Sequence, residues 1–452
     1  MTSSLKFAGA ITALALAVPL AGCATSDEPA DDGVTLQVAI DAGLDDGAIA
    51  AFEERAAQFE SEHPDITIES VEYTWDGTTF AAALAGGTLP DVFTIPFTDG
   101  RGLIANQQIA DISKLVADLP YAGDFNPNVA VAGQAADGSQ WAVPIAAYGQ
   151  GLHYNRTLFE QAGLDPDQPP TTWDEVRADA KQIADATGVA GYAQMTSSNT
   201  GGWILTTLDY ALGGRLEQVD GDEVTSTIDT PEMKQVLDMV KTMRWQDDSM
   251  GANFLYDWGS INQAFASGQI GMYVSGGGNY GNLFTQNQMN PDDYGLTVLP
   301  LADDGDAGVL GGGTLAVVSA NATEAEQAAG VKWIDFYYMQ KLADEDAAVT
   351  AAKTTAESGA PVGAPEMPIF DEATYAESQQ WIADYVNVPL DQMTPFTDHI
   401  FEQPLLPEPS HKTQEIYALL DPVVQAVLTD QNADIAKLLA DAEQQAQQIL
   451  AG

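Results

Sequence analysis

Hydrophobic and polar positions near the amino terminus follow first the period of a strand and then that of a helix. Val34–Ile40 is rich in β-branched residues, as buried strands are. In the segment that follows, apolar residues recur at helical spacing until Pro64: Ile49, Phe52, Ala56 and Phe59. Strand-type residues return at Ile66–Tyr73. The order strand, helix, strand predicts a βαβ unit and a parallel sheet.

Further along the chain, helix boundaries are marked by capping residues. Thr172 and Glu175 have the spacing of a capping box, and Gly188 stands where that helix would end. Pro231 lies just inside a second helix start. A long helix is predicted from about Thr323 to Lys341, and two more helices close the chain. Their apolar stripes predict core contacts rather than a cofactor site.

The first 22 residues have the pattern of a secretory signal. Lys6 precedes the apolar run Phe7–Leu20, which Pro19 interrupts and which is too short to span a membrane. The tetrad Leu20-Ala21-Gly22-Cys23 resembles a bacterial lipobox, in which the cysteine receives a lipid. We therefore predict a signal peptide over residues 1–22 and a lipid-anchored flexible tether over residues 23–33. An ordinary cleavage site beside a stray cysteine is the alternative.

Composition limits the partners and the compartment. The chain has 452 residues with 16 basic and 66 acidic side chains, and its formal net charge is −50. Such a surface repels polyanions, so we expect no nucleic-acid partner. Cys23 is the only cysteine, which excludes an intramolecular disulfide. The length is enough for two or more cores, and we expect a two-lobed or multidomain protein that is a monomer.

The sequence was also tested for the chemistry of an enzyme. Gly276–Gly281 spells the G-x-G-x-x-G pattern of a dinucleotide site after a plausible strand, but the segment that follows is short and polar. No nucleophile elbow, phosphate loop or H-E-x-x-H motif occurs, and the four histidines are scattered. We predict that the protein is not an enzyme and that it has no cofactor and no metal site. With 66 acidic residues, a pair of carboxylates for glycoside hydrolysis is not excluded.

Four stretches, in order, resemble the extracellular solute-binding proteins of ATP-binding-cassette (ABC) importers, in the carbohydrate-binding family that includes maltose-binding protein. They are "GGTLPDVF" at 86–93, "WAVPIAAYGQGLHYNRTLFEQAGLDPDQPPTTWDEV" at 141–176, "FASGQIGMYVSGGG" at 265–278 and "TVLPLADDGDAGVLGGGTLAVVS" at 297–319. The resemblance implies an α/β, two-lobed, periplasmic-binding-protein-like fold with a ligand cleft and a hinge between the lobes. We assign residues 34–145 and about 300–355 to lobe 1, and residues 146–299 and about 356–452 to lobe 2.

The same resemblance implies a ligand site. Sugar rings have apolar faces and hydroxyl rims, so their sites combine aromatic rings with polar side chains. Positions carried over from the family are Phe97, Thr98, Asp99, Arg101, Tyr148, Asn279 and Tyr280. Positions added from their local context are Trp75, Asp76, Asn199, Trp203, Trp258, Trp381 and Tyr385. Maltose-binding protein has tryptophan where Ile95 stands and a carboxylate where Tyr148 stands, so maltose specificity is not implied.

Together these observations predict a substrate-binding lipoprotein on the outer face of the cytoplasmic membrane, attached through Cys23. It would capture a neutral oligosaccharide and deliver it to the permease subunits of an ABC transporter. A binder of a glycerol phosphate diester or a polyamine is the first alternative. A secreted glycoside hydrolase and an exported dinucleotide-binding oxidoreductase are the others.

Overall fold

The computed structural model describes residues 33–451 except 222 and 304. Within these residues the chain forms eleven strands: β1 Val34–Ile40, β2 Ile66–Glu72, β3 Val92–Pro96, β4 Val143–Asn155, β5 Ala190–Tyr192, β6 Glu217–Asp220, β7 Glu223–Ser226, β8 Ile270–Gly276, β9 Tyr294–Val298, β10 Val309–Val318 and β11 Leu405–Leu406. The same residues form eighteen α-helices: α1 Asp46–Glu62, α2 Gly77–Gly86, α3 Phe97–Ala105, α4 Ser113–Ala117, α5 Pro127–Ala130, α6 Arg156–Ala162, α7 Trp173–Thr187, α8 Thr200–Ala211, α9 Pro231–Trp245, α10 Trp258–Ala266, α11 Tyr280–Thr285, α12 Glu324–Ile334, α13 Gln340–Ala343, α14 Glu345–Glu357, α15 Glu372–Trp381, α16 Thr394–Thr397, α17 Thr413–Thr429 and α18 Ile435–Leu450.

The predicted βαβ opening is confirmed. Strands β1 and β2 pair in parallel along their whole length, with Val34 opposite Ile66. Helix α1 connects them, and its side chains Phe52 and Phe59 are buried. Asp45 caps this helix, because its carboxylate accepts a hydrogen bond from the amide of Ala48 at 2.8 Å.

Strand β4 runs between two groups of strands. Its first half, up to Gly149, pairs antiparallel with β10, which in turn pairs with β3 and through it with β1 and β2. Its second half, from Gln150, pairs antiparallel with β8 and β9, and β8 pairs with β5. The change of partner falls between Gly149 and Gln150, close to the predicted lobe boundary at residues 145 and 146. The exact lobe limits stay a prediction.

The helices cover these groups of strands. Helix α12 contacts β1, whereas α17 contacts α8, α9 and α18. The predicted long helix near 323–341 is α12 and α13 joined through a π-helical turn at Asp335–Met339. The predicted capping box of α7 is present, with Gly188 left-handed at its end (φ 74°). In the described part of the chain, no helix combines the length and the apolar character that a bilayer span needs.

Candidate functional site

Two cavities lie beside residues 311–314 of β10. The first cavity, of about 560 Å³, has among its lining residues Phe97, Thr98, Asp99, Arg101, Tyr210, Arg215, Glu217, Gly311, Glu408 and His411. The second cavity, of about 420 Å³, has among its lining residues Tyr148, Trp203, Trp258, Ser275, Asn279, Gly313, Thr314 and Glu366. The second cavity includes Tyr148 of β4 and Ser275 of β8, so it lies where β4 changes from one group of strands to the other.

Glycines in β10 let aromatic rings lie directly on the strand. A Cβ on Gly313 would lie 2.6 Å from Cζ of Phe97 and would also clash with the carbonyl oxygen of Ala146. A Cβ on Gly312 would lie 3.0 Å from the hydroxyl of Tyr148. The missing side chains therefore make room for the rings of Phe97 and Tyr148, which place apolar surface at the edge of each cavity.

The second cavity combines aromatic rings with polar atoms that have no partner. Tyr148 comes from β4, Trp203 from α8 and Trp258 from the start of α10, where it is 42 % exposed. The side chain of Asn279 is buried, and its Nδ2 donates to Oδ1 of Asn262 at 2.8 Å and to the hydroxyl of Tyr273 at 2.9 Å. Its Oδ1 accepts no hydrogen bond. This buried oxygen is an unused hydrogen-bond acceptor on a residue that lines the second cavity.

Ser275 adds a second polar atom at the end of β8. Its side chain is fully buried, and its Oγ forms no hydrogen bond. Buried hydroxyls without a partner are uncommon in folded proteins. Ser275 and Asn279 both line the second cavity, so this cavity offers unused hydrogen-bonding capacity between its aromatic rings.

Two acidic side chains that the sequence analysis did not single out also face the cavities. Desolvation raises the pKa of Glu408 above its ordinary value, while hydrogen bonds from Tyr417 and Trp203 act in the opposite direction. Glu366 is exposed at the second cavity. Desolvation by the surrounding protein still raises its pKa, and the positive charge of Lys341 lowers it. Both carboxyl groups are therefore easier to protonate than free glutamate.

The first cavity brings basic groups together from distant parts of the chain. Arg101 comes from α3, Arg215 follows α8, and His411 precedes α17. Arg101 is exposed, and its Nε donates to the carbonyl oxygen of Val131 at 3.5 Å. Arg215 donates to the carbonyl oxygens of Gly214 and Asp306 at 2.6 and 2.8 Å. The sequence shows no cluster of basic residues, and only the fold assembles this one.

Acidic groups share the first cavity with these bases. His411 Nδ1 lies 3.3 Å from Oε1 of Glu217, which also accepts a hydrogen bond from the amide of Ser410 at 2.8 Å. Burial raises the pKa of Asp99, whereas hydrogen bonds with Thr98 and Trp75 lower it. The lining of the first cavity is therefore of mixed charge.

The structure places the predicted site residues in three groups. Phe97, Thr98, Asp99 and Arg101 line the first cavity. Tyr148, Trp203, Trp258 and Asn279 line the second cavity. The remaining six line neither cavity: Trp75, Asp76, Asn199, Tyr280, Trp381 and Tyr385.

Several residues of the third group have other contacts. Trp75 stacks on Phe93 with ring centroids 6.5 Å apart. Asp76 caps α2 by accepting from the amide of Thr78 at 2.8 Å. The amide of Asn199 donates to Oδ2 of Asp421 at 2.8 Å, just before α8.

Tyr280 is buried, and its ring centroid lies 5.0 Å from that of Tyr294. The glycines before it make room for the protein's own side chains. A Cβ on Gly277 would lie 2.6 Å from Cζ of Phe396, and one on Gly278 would lie 2.8 Å from Oε1 of Glu366. The strand after this segment, β9, is not a neighbour of β8, because β4 lies between them and pairs antiparallel with both; in a dinucleotide-binding unit the two strands run parallel with no antiparallel strand between them.

Among the lining residues that the sequence analysis did not name are Tyr210, Arg215, Glu366, Glu408 and His411. Three of them lie in segments without regular secondary structure late in the chain, where no periodicity marks a buried face. Cys23 and the predicted signal peptide lie outside the described residues. Over the residues that the structure describes, no group of three or more His, Cys, Asp or Glu side chains is placed to hold a metal ion.

Comparison with known proteins identifies the family. The model for bacterial extracellular solute-binding proteins matches residues 45–341. A protein of Brucella abortus that is named only as a binding protein is 26 % identical over 300 residues, which cover 64 % of this chain and 68 % of the relative.

Two solved structures share the fold. The cyclic alpha-maltosyl-1,6-maltose binding protein from Arthrobacter globiformis has a TM-score of 0.66 at 23 % identity, covering 92 % of this chain and 99 % of its own. UgpB from Mycobacterium tuberculosis, solved in complex with glycerophosphocholine, has a TM-score of 0.65 at 17 % identity, covering 93 % of this chain and 98 % of its own. The predicted two-lobed α/β fold is confirmed. Because the family model matches most of its length, this chain belongs to the bacterial extracellular solute-binding proteins, which serve ABC transporters and are not enzymes.

Proposed function

We propose that this protein captures a neutral oligosaccharide between its lobes and delivers it to the permease of an ABC importer. The observation that carries the proposal is the second cavity, where Tyr148, Trp203 and Trp258 stand beside the free acceptor Oδ1 of Asn279. Aromatic rings pack against the C–H faces of a sugar, and fixed amide oxygens accept its hydroxyl protons. A volume of about 420 Å³ suits a small organic ligand.

The relatives support this choice of solute. The Arthrobacter globiformis protein is named for a cyclic maltose-derived oligosaccharide. The long β4 strand joins both groups of strands, and its residue Tyr148 lines the second cavity. A ligand that contacts Tyr148 from β4, Trp203 from α8 and the backbone of β10 would favour the closed arrangement, which is the form that a permease can distinguish.

We also propose that Cys23 carries a lipid and that residues 23–33 tether the protein to the outer face of the cytoplasmic membrane. The support is the resemblance of residues 20–23 to a lipobox and the extracellular location of the family. Cys23→Ser should release the protein from the membrane without changing ligand affinity. Fractionation of cells and titration of the released protein test both parts, and a membrane-bound variant would contradict the first.

The solute is tested by a melting-temperature screen of the full-length chain against di- to hexasaccharides. A ligand at 100 times its dissociation constant stabilises the folded state by about 2.7 kcal/mol, which a thermal shift detects. At least one oligosaccharide should raise the melting temperature, and its chain length should remain unchanged after incubation. If no oligosaccharide shifts the transition, the proposed solute is wrong.

A second candidate solute is a glycerophosphodiester. The first cavity holds Arg101, Arg215 and His411, and arginine is a frequent partner of phosphate groups. The Mycobacterium tuberculosis relative was solved with glycerophosphocholine. Adding glycerophosphodiesters to the same screen separates the candidates, because a phosphodiester that shifts the melt where no oligosaccharide does would favour this one.

A further inference from the structure

His153 is a fully buried side chain of β4 that lines neither cavity. Its Nε2 lies 3.2 Å from the carbonyl oxygen of Ser275 and 3.0 Å from that of Gly276. Its Nδ1 lies 2.9 Å from the hydroxyl of Tyr294 on β9. Both ring nitrogens therefore have partners, and the partners of Nε2 belong to two residues that line the second cavity.

These partners determine which ring nitrogen of His153 carries the proton. A carbonyl oxygen can only accept a hydrogen bond, so Nε2 is the donor toward Ser275 and Gly276. In a neutral imidazole the other nitrogen then accepts, and Tyr294 donates its hydroxyl proton to Nδ1. Desolvation lowers the pKa of His153 to about 4, although the two backbone hydrogen bonds act in the opposite direction. The ring is therefore neutral at pH 7, with its proton on Nε2.

The backbone that His153 contacts stands at the end of a strand. The ladder between β4 and β8 ends at the pair Gln150 and Gly276. The chain then forms a 3-10 turn at Gly277–Asn279, while the preceding residue of β4, Gly149, pairs with β10. Residues 275–279, called the 275–279 segment here, contribute four lining residues to the second cavity. Beyond Gly276 the position of this segment depends on contacts other than the β4–β8 ladder.

A separate set of hydrogen bonds holds the other end of the segment. Nδ2 of Asn279 donates to Oδ1 of Asn262 at 2.8 Å and to the hydroxyl of Tyr273 at 2.9 Å. The ring of Tyr273 also lies beside the imidazole of His153, with ring centroids 5.0 Å apart. The 275–279 segment is therefore held at its start through its backbone and at its end through a side chain.

We propose that His153 is a positioning residue for solute binding, whose Nε2–H group fixes the carbonyl oxygens of Ser275 and Gly276 and thereby the wall of the second cavity. The inference rests on the proposed function and names a residue that acts without contacting the solute. A hydrogen bond restricts the direction of a carbonyl group as well as its distance. A wall that is ordered before the solute arrives favours binding, because no ordering cost is added when the complex forms.

The first measurement is the nitrogen NMR spectrum of the histidine side chains in the full chain without a solute. The signals that disappear in His153→Gln belong to His153. They should show a protonated Nε2 and an unprotonated Nδ1, unchanged between about pH 6 and pH 8, a range over which a free imidazole changes its charge. A proton on Nδ1, or a change of charge over this range, would overturn the inference.

The second measurement compares two replacements of His153 by calorimetry, using the oligosaccharide that gives the largest shift in the melting screen. His153→Gln retains an N–H donor near the position of Nε2, whereas the shorter amide of His153→Asn lies near the position of Nδ1. His153→Gln should bind within about threefold of the wild type, and His153→Asn about tenfold more weakly, as expected when a buried hydrogen bond is lost. His399→Asn, at an exposed site outside both cavities, is the control and should bind as the wild type does.

Equal affinities in His153→Gln and His153→Asn would overturn the inference and leave the proposed function in place. If no oligosaccharide binds the wild type, the proposed function is wrong, and hydrogen exchange of the 275–279 segment decides the inference. Exchange should be about tenfold faster in His153→Asn than in His153→Gln, and equal rates would overturn it. If His153→Asn does not fold, the nitrogen spectrum decides together with His153→Gln, in which an affinity loss beyond about tenfold would contradict the proposed donor role.

Discussion

The two cavities contact neighbouring residues of the same strand, β10, but they are lined by different kinds of side chain. Glycines at 311–313 let Leu405, Tyr148 and Phe97 lie directly against the strand, with Gly311 at the first cavity and Gly313 at the second. The second cavity is lined by aromatic rings and an amide with a free acceptor, whereas the first is lined by arginine, histidine and carboxylates. Helix α8 serves both, with Trp203 in the second cavity and Tyr210 in the first. We therefore expect the side chains of each cavity, rather than the strand that both adjoin, to determine which solute binds there.

The largest expected effect is on ligand binding in the second cavity. Trp203→Ala should weaken the binding of a neutral oligosaccharide by about 30- to 100-fold, because a large ring that stacks on a ligand contributes a major part of the affinity. Titration calorimetry measures the change. Trp381→Ala is the matched control, because Trp381 lines neither cavity, and it should bind as the wild type does. Unchanged affinity in Trp203→Ala would remove the second cavity as the sugar site.

The next effect concerns the pH dependence of stability, through a residue on α8, the helix that contributes side chains to both cavities. Asp209 is fully buried on α8, and burial raises its pKa from the ordinary 3.8 to about 7, with Glu232 acting in the same direction. The folded state therefore binds a proton more tightly than the unfolded state. The stability contributed by the protonated carboxyl is complete below pH 3.8 and is lost as the pH rises to about 7.

Between pH 5 and pH 8 the wild type should lose on the order of 2 kcal/mol of unfolding free energy through Asp209. Asp209→Asn removes this loss, because the amide does not ionise. Urea unfolding at both pH values measures the difference. Asp185→Asn, at an exposed acid paired with Lys181, should retain the wild-type slope. A slope that persists in Asp209→Asn would assign the pH dependence to other groups.

A smaller effect is expected at the amide of the second cavity. Asn279→Ala removes the free acceptor and should weaken neutral oligosaccharide binding by about tenfold, the value of one hydrogen bond to a buried polar group. It also removes the donor to Asn262 and Tyr273, so affinity is measured well below the melting temperature. Asn287 lies outside both cavities, so Asn287→Ala serves as the control. Equal affinities in the two variants would contradict a ligand contact at Asn279.

The smallest expected effect concerns the first cavity and tests whether it contributes to the affinity for neutral solutes. Arg101→Gln should change oligosaccharide affinity by about twofold or less, whereas glycerophosphodiester affinity should fall by roughly fivefold through the loss of one exposed cation. Lys114→Gln, at an exposed position on α4, should change neither. A large loss of oligosaccharide affinity in Arg101→Gln would show that one ligand occupies both cavities.

Local sequence signals predicted the elements that depend on neighbouring residues. The opening unit β1, α1 and β2 follows from hydrophobic period alone. The capping box at Thr172 and Glu175 forms as its spacing predicts. In each case the interactions that determine the structure lie within a few residues of one another.

The parts that could not be predicted depend on contacts between distant residues. Glu408 meets Trp203 only because α17 packs against α8. Arg101 and Arg215 reach one cavity from separate groups of elements. The glycines at 277 and 278 belong to the G-x-G-x-x-G pattern, but their nearest neighbours are Phe396 and Glu366 of the same chain. A single sequence gives no measure of such proximity.

The position of β10 in the sheet has a consequence for how the chain acquires its fold. Strand β3 pairs with β10, so Val92 lies opposite Val318. While the polypeptide is being made, β1, β2 and β3 exist long before their neighbour, and the edge of β3 remains open until most of the chain has appeared. Pairings between such distant segments form slowly. This late closure would prolong the interval in which the chain is incompletely folded.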